Sequence, residues 1–144
     1  MALMGVFDVA ASGLSAQNVR LNTVASNLAN AESVSSSIAQ TYRARVPVFQ
    51  AILENEHGRV SRRYGSEGLS KVEVAAIVES PAPVRKEYRP DHPLADPQGY
   101  VYFPNVNVME QMADMIAASS SYRANVEMAM TARELLLRTL ELGR

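Results

Sequence analysis

Along the first thirty residues the apolar positions fall at Leu3, Phe7, Ala10, Leu14, Leu21, Val24 and Leu28. With Gln17 filling the one gap, the steps alternate between four and three residues, which is the a/d seam of a coiled coil. No Pro interrupts residues 3–30, and Ser12, Ser15, Asn18, Arg20, Asn22 and Ser26 occupy the other faces. The pattern predicts a helix of about 28 residues within the segment 1–31; at about 1.5 Å per residue it spans roughly 42 Å. A second helical pattern fills residues 105–144, with apolar positions at Val108, Met112, Met115, Ile116, Tyr122, Val126, Met130, Leu136, Leu137 and Leu140. Asn107 followed three residues later by Glu110 reads as an N-cap and N3 pair, with Pro104 fixing the entry and Gly143 as the C-terminal stop.

Residues 32–104 change character, holding nearly all of the Pro and most of the Gly. Ser33 to Ser37 reads as a linker or loop. Strands are expected from Tyr42 to Leu53, with Pro47 at an edge, and from Leu69 to Glu79, where Val72, Val74, Ala76 and Val78 share a face. Shorter strands come next at Val84 to Tyr88 and Tyr100 to Phe103, and turn signals stand at Glu56-His57-Gly58 and Gly65 to Gly68. The predicted fold is α+β: two long terminal helices forming a coiled-coil-like pair around a small β-rich insertion. Each helix is longer than so small an insertion is wide. The helices pair with one another, any remaining apolar face needs a partner chain, and the ends order on assembly.

Composition narrows the function. The chain has 144 residues, a formal net charge of −1 and no Cys. Scattered charge offers no concentrated basic surface for nucleic acid, and the absence of Cys excludes disulfides and thiolate metal sites. Arg59, Arg62 and Arg63 beside Tyr64 form only a small patch suited to a solvated loop or an acidic neighbour. No secretory signal pattern is visible, and no apolar run approaches the roughly 20 residues of a membrane span. The polar face of the first helix carries Ser and Asn with a single Arg, unlike a membrane-surface helix. His57 and His92 are the two His residues; Asp91, His92 and Asp96 can be drawn as metal ligands, but three loop positions without a fourth suit turn formation better. No nucleophile elbow, P-loop or dinucleotide signature occurs. The sequence therefore predicts no catalytic residue, no cofactor and no metal site.

Ala11-Ser12-Gly13-Leu14-Ser15-Ala16-Gln17, then Leu21-Asn22-Thr23-Val24-Ala25-Ser26-Asn27-Leu28-Ala29-Asn30-Ala31, resembles the N-terminal motif of the flagellar rod and hook axial proteins. Tyr42-Arg43-Ala44, Pro93-Leu94-Ala95-Asp96, Gly99-Tyr100-Val101, Pro104-Asn105-Val106, Ser121-Tyr122-Arg123-Ala124-Asn125 and Thr139-Leu140-Glu141-Leu142-Gly143 are similar in order and spacing to the proximal-rod members of that family. The resemblance implies a structural subunit of the basal-body rod, exported unfolded by the flagellar type III apparatus without a cleaved signal and assembled helically in the periplasm. Implied partners are copies of the chain, the rod proteins FlgB, FlgF and FlgG, the adaptor FliE, and the MS-ring and bushing-ring proteins.

On that reading the expected subunit contacts are Leu3, Phe7, Ala10, Leu14, Leu21, Val24 and Leu28 on the first helix. Met112, Met115, Ile116, Tyr122, Val126, Met130, Leu136, Leu137 and Leu140 serve on the second. Small residues such as Ala10, Gly13, Ala16 and Ala25 let helices approach closely, and Asn27, Asn30 and Asn125 are candidate polar fasteners of register. The competing class is a helical adaptor or chaperone that forms a discrete oligomer.

Overall fold

The computed structural model describes residues 2–53 and 70–142, with side chains for 5–52 and 70–141. The turn at His57, the basic patch at Arg59 to Tyr64, the Gly65 to Gly68 loop and the Gly143 stop fall outside the described residues. The order of elements is α1 (Ala2–Asn30), β1 (Arg45–Leu53), β2 (Ser70–Glu79), β3 (Arg85–Tyr88), β4 (Tyr100–Phe103) and α2 (Val108–Leu142). This is the α+β arrangement that the two seams and the strand signals predict. β1 pairs with β2, and β3 with β4, in two separate two-stranded sheets.

Local chemistry sets the element boundaries. β1 begins at Arg45 rather than Tyr42 because side chains intercept the backbone before it. The Ala44 N–H donates to Asn105 Oδ1 at 2.8 Å, and the Arg45 N–H donates to Asn27 Oδ1 at 2.9 Å. α2 starts as its cap predicts: Asn107 Oδ1 accepts the Met109 N–H at 3.1 Å, the Asn107 carbonyl accepts the Gln111 N–H at 3.0 Å, and Glu110 sits in the positively polarised first turn.

The chain divides into two compact units, and both long helices contribute to each. The first comprises residues 1–19, 48–76 and 117–144. Its buried side chains, among the described residues, are all alanine: Ala10, Ala16, Ala118 and Ala132. Here Ser12 Oγ accepts the Val72 N–H of β2 at 3.2 Å, and Lys71 Nζ lies 3.2 Å from Asp8 Oδ2.

The second unit comprises residues 20–47 and 77–116. Its core holds Val101, Tyr102 and Phe103 of β4 together with Val24, Ala31 and Ala44. β3 and β4 pair antiparallel from Arg85 opposite Phe103 to Tyr88 opposite Tyr100. The Ser-rich stretch is folded: Ser35 exchanges two backbone hydrogen bonds of 3.0 Å with Tyr102, and Thr41 Oγ1 donates to the Ser37 carbonyl at 2.8 Å.

The expected alternation along β2 is only weakly expressed as burial. Val74 is half-buried, whereas Val72, Ala76 and Val78 are exposed, because a two-stranded ribbon has no second layer of its own to cover a face.

Candidate functional site

The seam read along α1 faces inward. Ala10 and Val24 are buried, and Phe7, Leu14, Gln17, Leu21 and Leu28 are half-buried; the side chain of Leu3 is outside the described set, and Asn27, beside the seam, is buried. α2 carries a row of its own at Gln111, Met115, Ala118, Tyr122, Asn125, Ala129, Ala132 and Leu136, again in alternating steps of four and three, from which Gln111 and Asn125 touch α1. Ala118 and Ala132 are buried, Tyr122 is at the margin with 36% exposure, and the others are half-buried. Only Met115, Tyr122, Asn125 and Leu136 of this inner seam stand among the expected contact residues. Gln111, Ala118, Ala129 and Ala132 escape a reading that looks for the largest apolar side chains, although their spacing is present in the sequence.

Named cross-links fix the pairing of the helices. In the first unit Gly13 of α1 lies against the amide of Asn125 of α2: a Cβ on Gly13 would sit 2.7 Å from Asn125 Nδ2 and 3.1 Å from its Cγ. In the second unit Arg20 NH2 donates to Asp114 Oδ1 at 2.6 Å, and Asn27 Nδ2 donates to Gln111 Oε1 at 2.8 Å. Advancing along α1 from Arg20 to Asn27 moves back along α2 from Asp114 to Gln111, so the helices run antiparallel.

Asn27 is the polar centre of the second unit. Its Nδ2 donates to the Arg45 carbonyl and to Gln111 Oε1, both at 2.8 Å. Its Oδ1 accepts the Tyr42 hydroxyl and the Arg45 N–H, both at 2.9 Å. A primary amide has two donors and two acceptor positions, so this one is fully engaged inside the chain. Tyr42 also exchanges a 3.2 Å hydrogen bond with Ser26 Oγ, and its ring receives the Arg45 guanidinium 5.6 Å from the centroid. Asn30 turns back on its own helix, donating to the Ser26 carbonyl at 2.8 Å.

The rest of α2 is unusual for what it shows to solvent. Met109, Met112, Ile116, Met130, Leu137 and Leu140 are 49–75% exposed. They fall on a second row of alternating three- and four-residue steps that also passes through Ser119, Arg123, Val126 and Arg133. At about 100° per residue this outer seam lies roughly a quarter-turn around the axis from the inner one. α1 has an outer row as well. Its exposed residues among those described are Asp8, Ala11, Ser15, Asn18, Asn22, Ala25 and Ala29, spaced three and four apart throughout. None is larger than Asn.

Asp91, His92 and Asp96 lie in the loop between β3 and β4, and His92 and Asp96 bond its backbone. His92 Nδ1 accepts the Leu94 N–H at 3.1 Å. Asp96 Oδ1 accepts the Gln98 and Tyr100 N–H groups at 2.9 and 2.8 Å, and Oδ2 accepts the Tyr102 hydroxyl at 3.0 Å. Gly99, at φ 82°, makes the turn and leaves room for the Tyr88 ring, which a Cβ would approach to 2.8 Å. The Tyr100 N–H above all, then the Tyr102 hydroxyl, the Gln98 N–H and the field of Lys86, hold the Asp96 carboxyl below its ordinary value of 3.8 against partial desolvation. The same bond to Asp96, with desolvation added, raises the Tyr102 phenol above 10.0. Among the described residues no group of three or more His, Asp or Glu is placed to hold a metal, and no helix is long and apolar enough to cross a membrane.

Two family models match the chain. Residues 7–34 match one described as flagella basal body rod protein, and residues 98–142 match one described as flagellar basal body rod FlgEFG protein C-terminal. These segments include Gly13, Asn27, Gln111 and Asn125. The flagellar basal-body rod protein FlgC of Yersinia enterocolitica is 47% identical over 144 residues, 100% of both chains. That of Salmonella typhimurium is 44% identical over the same span. That of Aquifex aeolicus is 40% identical over 141 residues, 98% of this chain and 97% of its own. The chain belongs to the FlgC family of flagellar basal-body rod proteins.

Proposed function

We propose that this rod protein is a subunit of the proximal rod, built by its terminal helices into a helical array that transmits torque. The observation that supports this most is the outer seam of α2. Six of the large apolar side chains exposed on α2 stand in this row, on a helix whose other side is tied to α1 at Asp114, Gln111 and Asn125. Leaving such a stripe in water is unfavourable by roughly 25 cal/mol per Å² of apolar surface, and contiguous exposed apolar surface marks a place where another chain sits. The inner face and its cross-links stiffen the subunit, and the outer face is free to join it to neighbours.

The partners that suit this reading are copies of the chain, the rod proteins FlgB, FlgF and FlgG, and the adaptor FliE, with MS-ring and bushing-ring proteins around them. The subunit reaches the periplasm through the flagellar type III export apparatus, and its ends order as the outer seams are covered. Purified basal bodies test the reading. The chain is expected there in the proximal rod, stable to detergent; a discrete cytoplasmic oligomer with no chain in basal bodies would refute it.

A further inference from the structure

We infer that the outer seam of α2 docks, antiparallel and in one register, on the outer row of α1 in a second copy of this chain. The inference rests on the rod-subunit reading and specifies which surfaces meet. Both rows repeat in the same three- and four-residue steps, so their side chains stay in phase over many turns. They are complementary in size. α2 presents Met and Ile, whereas α1 presents Ala11, Ala25 and Ala29, which are short enough to receive such knobs.

One register sets three of these knobs on alanine, with Met109 opposite Glu32 at its edge. In the second unit, Ile116 opposite Ala25 sets Met112 opposite Ala29. In the first, the same register sets Met130 opposite Ala11 and Arg133 opposite Asp8. The Asp8 side chain, though paired with Lys71, remains 62% exposed and can accept a second cation. A slip of one heptad either way takes Ile116 off alanine, onto Glu32 in one direction and Asn18 in the other. The contact joins different surfaces of the two copies, so each bound copy leaves one of its own open and the array continues.

The chain has no Cys, which makes disulfide mapping direct. Two distinguishably tagged full-length chains are co-expressed, one carrying Ala11→Cys and the other Met130→Cys, and basal bodies are oxidised and run without reductant. A dimer carrying both tags is expected, likewise for Ala25→Cys with Ile116→Cys, and none for Ala25→Cys with Met130→Cys. Incorporated chains in which neither in-register pair cross-links overturn the docking mode while leaving the rod reading intact; wild-type chain missing from basal bodies removes the rod reading itself. A size exchange is the second measurement. Ala25→Ile should stop incorporation and Ile116→Ala in the same chain should restore it; an Ala25→Ile chain that incorporates normally overturns the proposal.

Discussion

Gly13 and Asn125 are fitted to one another: the whole Asn125 amide, with Nδ2, Cγ and Oδ1 at 2.7, 3.1 and 3.3 Å, occupies the space a Cβ on Gly13 would need. Gly in a helix interior normally costs roughly 0.5–1 kcal/mol relative to Ala, so Gly13→Ala would stabilise an unobstructed helix. Here the added methyl meets the centre of the amide and not just its tip, and overpacking of this kind costs about 1–3 kcal/mol. Gly13→Ala is expected to lower the Tm of the free chain. Asn125→Ala in the same chain should recover it, and melting curves of the single and double variants decide the matter.

Asn27 holds four partners, and its loss strands all of them. Leaving one buried polar group unsatisfied costs roughly 1–3 kcal/mol, so Asn27→Ala is expected to destabilise by at least that much. Tyr42→Phe removes one hydrogen bond to the same amide and is expected to cost about 1 kcal/mol. Equal urea midpoints for the two variants would contradict the central place given to Asn27.

The loop closed by Asp96 has a defined pH range. A carboxyl whose pKa is depressed by folding contributes stability above its unfolded value, and the contribution drains away as pH falls through the folded pKa. For Asp96 that loss lies below 3.8. Tyr102 is shifted upward, so its contribution is complete below 10.0 and is lost as pH rises beyond that. The Tyr100 amide resonance, which reports the bond to Asp96, is expected to move on the acid side in the native chain. In Asp96→Asn it should hold its place through the same acid titration.

Ile116 and Leu137 separate folding from assembly. Both are more than half exposed, so Ile116→Ser and Leu137→Ser are expected to leave the stability of the free chain within about 0.5 kcal/mol. Both should nevertheless reduce incorporation into basal bodies and slow swimming. A variant that melts early would be acting through the fold, and one that incorporates fully would remove its residue from the docking surface.

The helices were legible because Leu3 to Leu28 repeat a seam whose one polar step is Gln17, and Asn107 caps the second helix. The side on which α2 meets α1 was not. Size favours Met112, Ile116 and Met130, yet Ala118, Asn125 and Ala132 are the more buried, and at Gly13 the Asn125 amide takes the space a Cβ would need. Asn27 shows the same limit. Its amide suggests a fastener of register, but only folded coordinates reveal that Tyr42, Arg45 and Gln111 fill all four of its positions. The strands were found within a few residues, and β1 came out shorter because Asn27 and Asn105 capture the backbone at Arg45 and Ala44.

That the buried side chains of the first unit, among its described residues, are alanines has a mass-action consequence. Four buried methyl groups add little to the heat capacity or enthalpy that accompanies unfolding of an ordinary core. That half of the chain should melt broadly when dilute, and its transition should sharpen and climb with protein concentration as chains associate. The cooperative unit is then a cluster of neighbouring chains, so a thermal scan at one dilution describes the dilution as much as the protein.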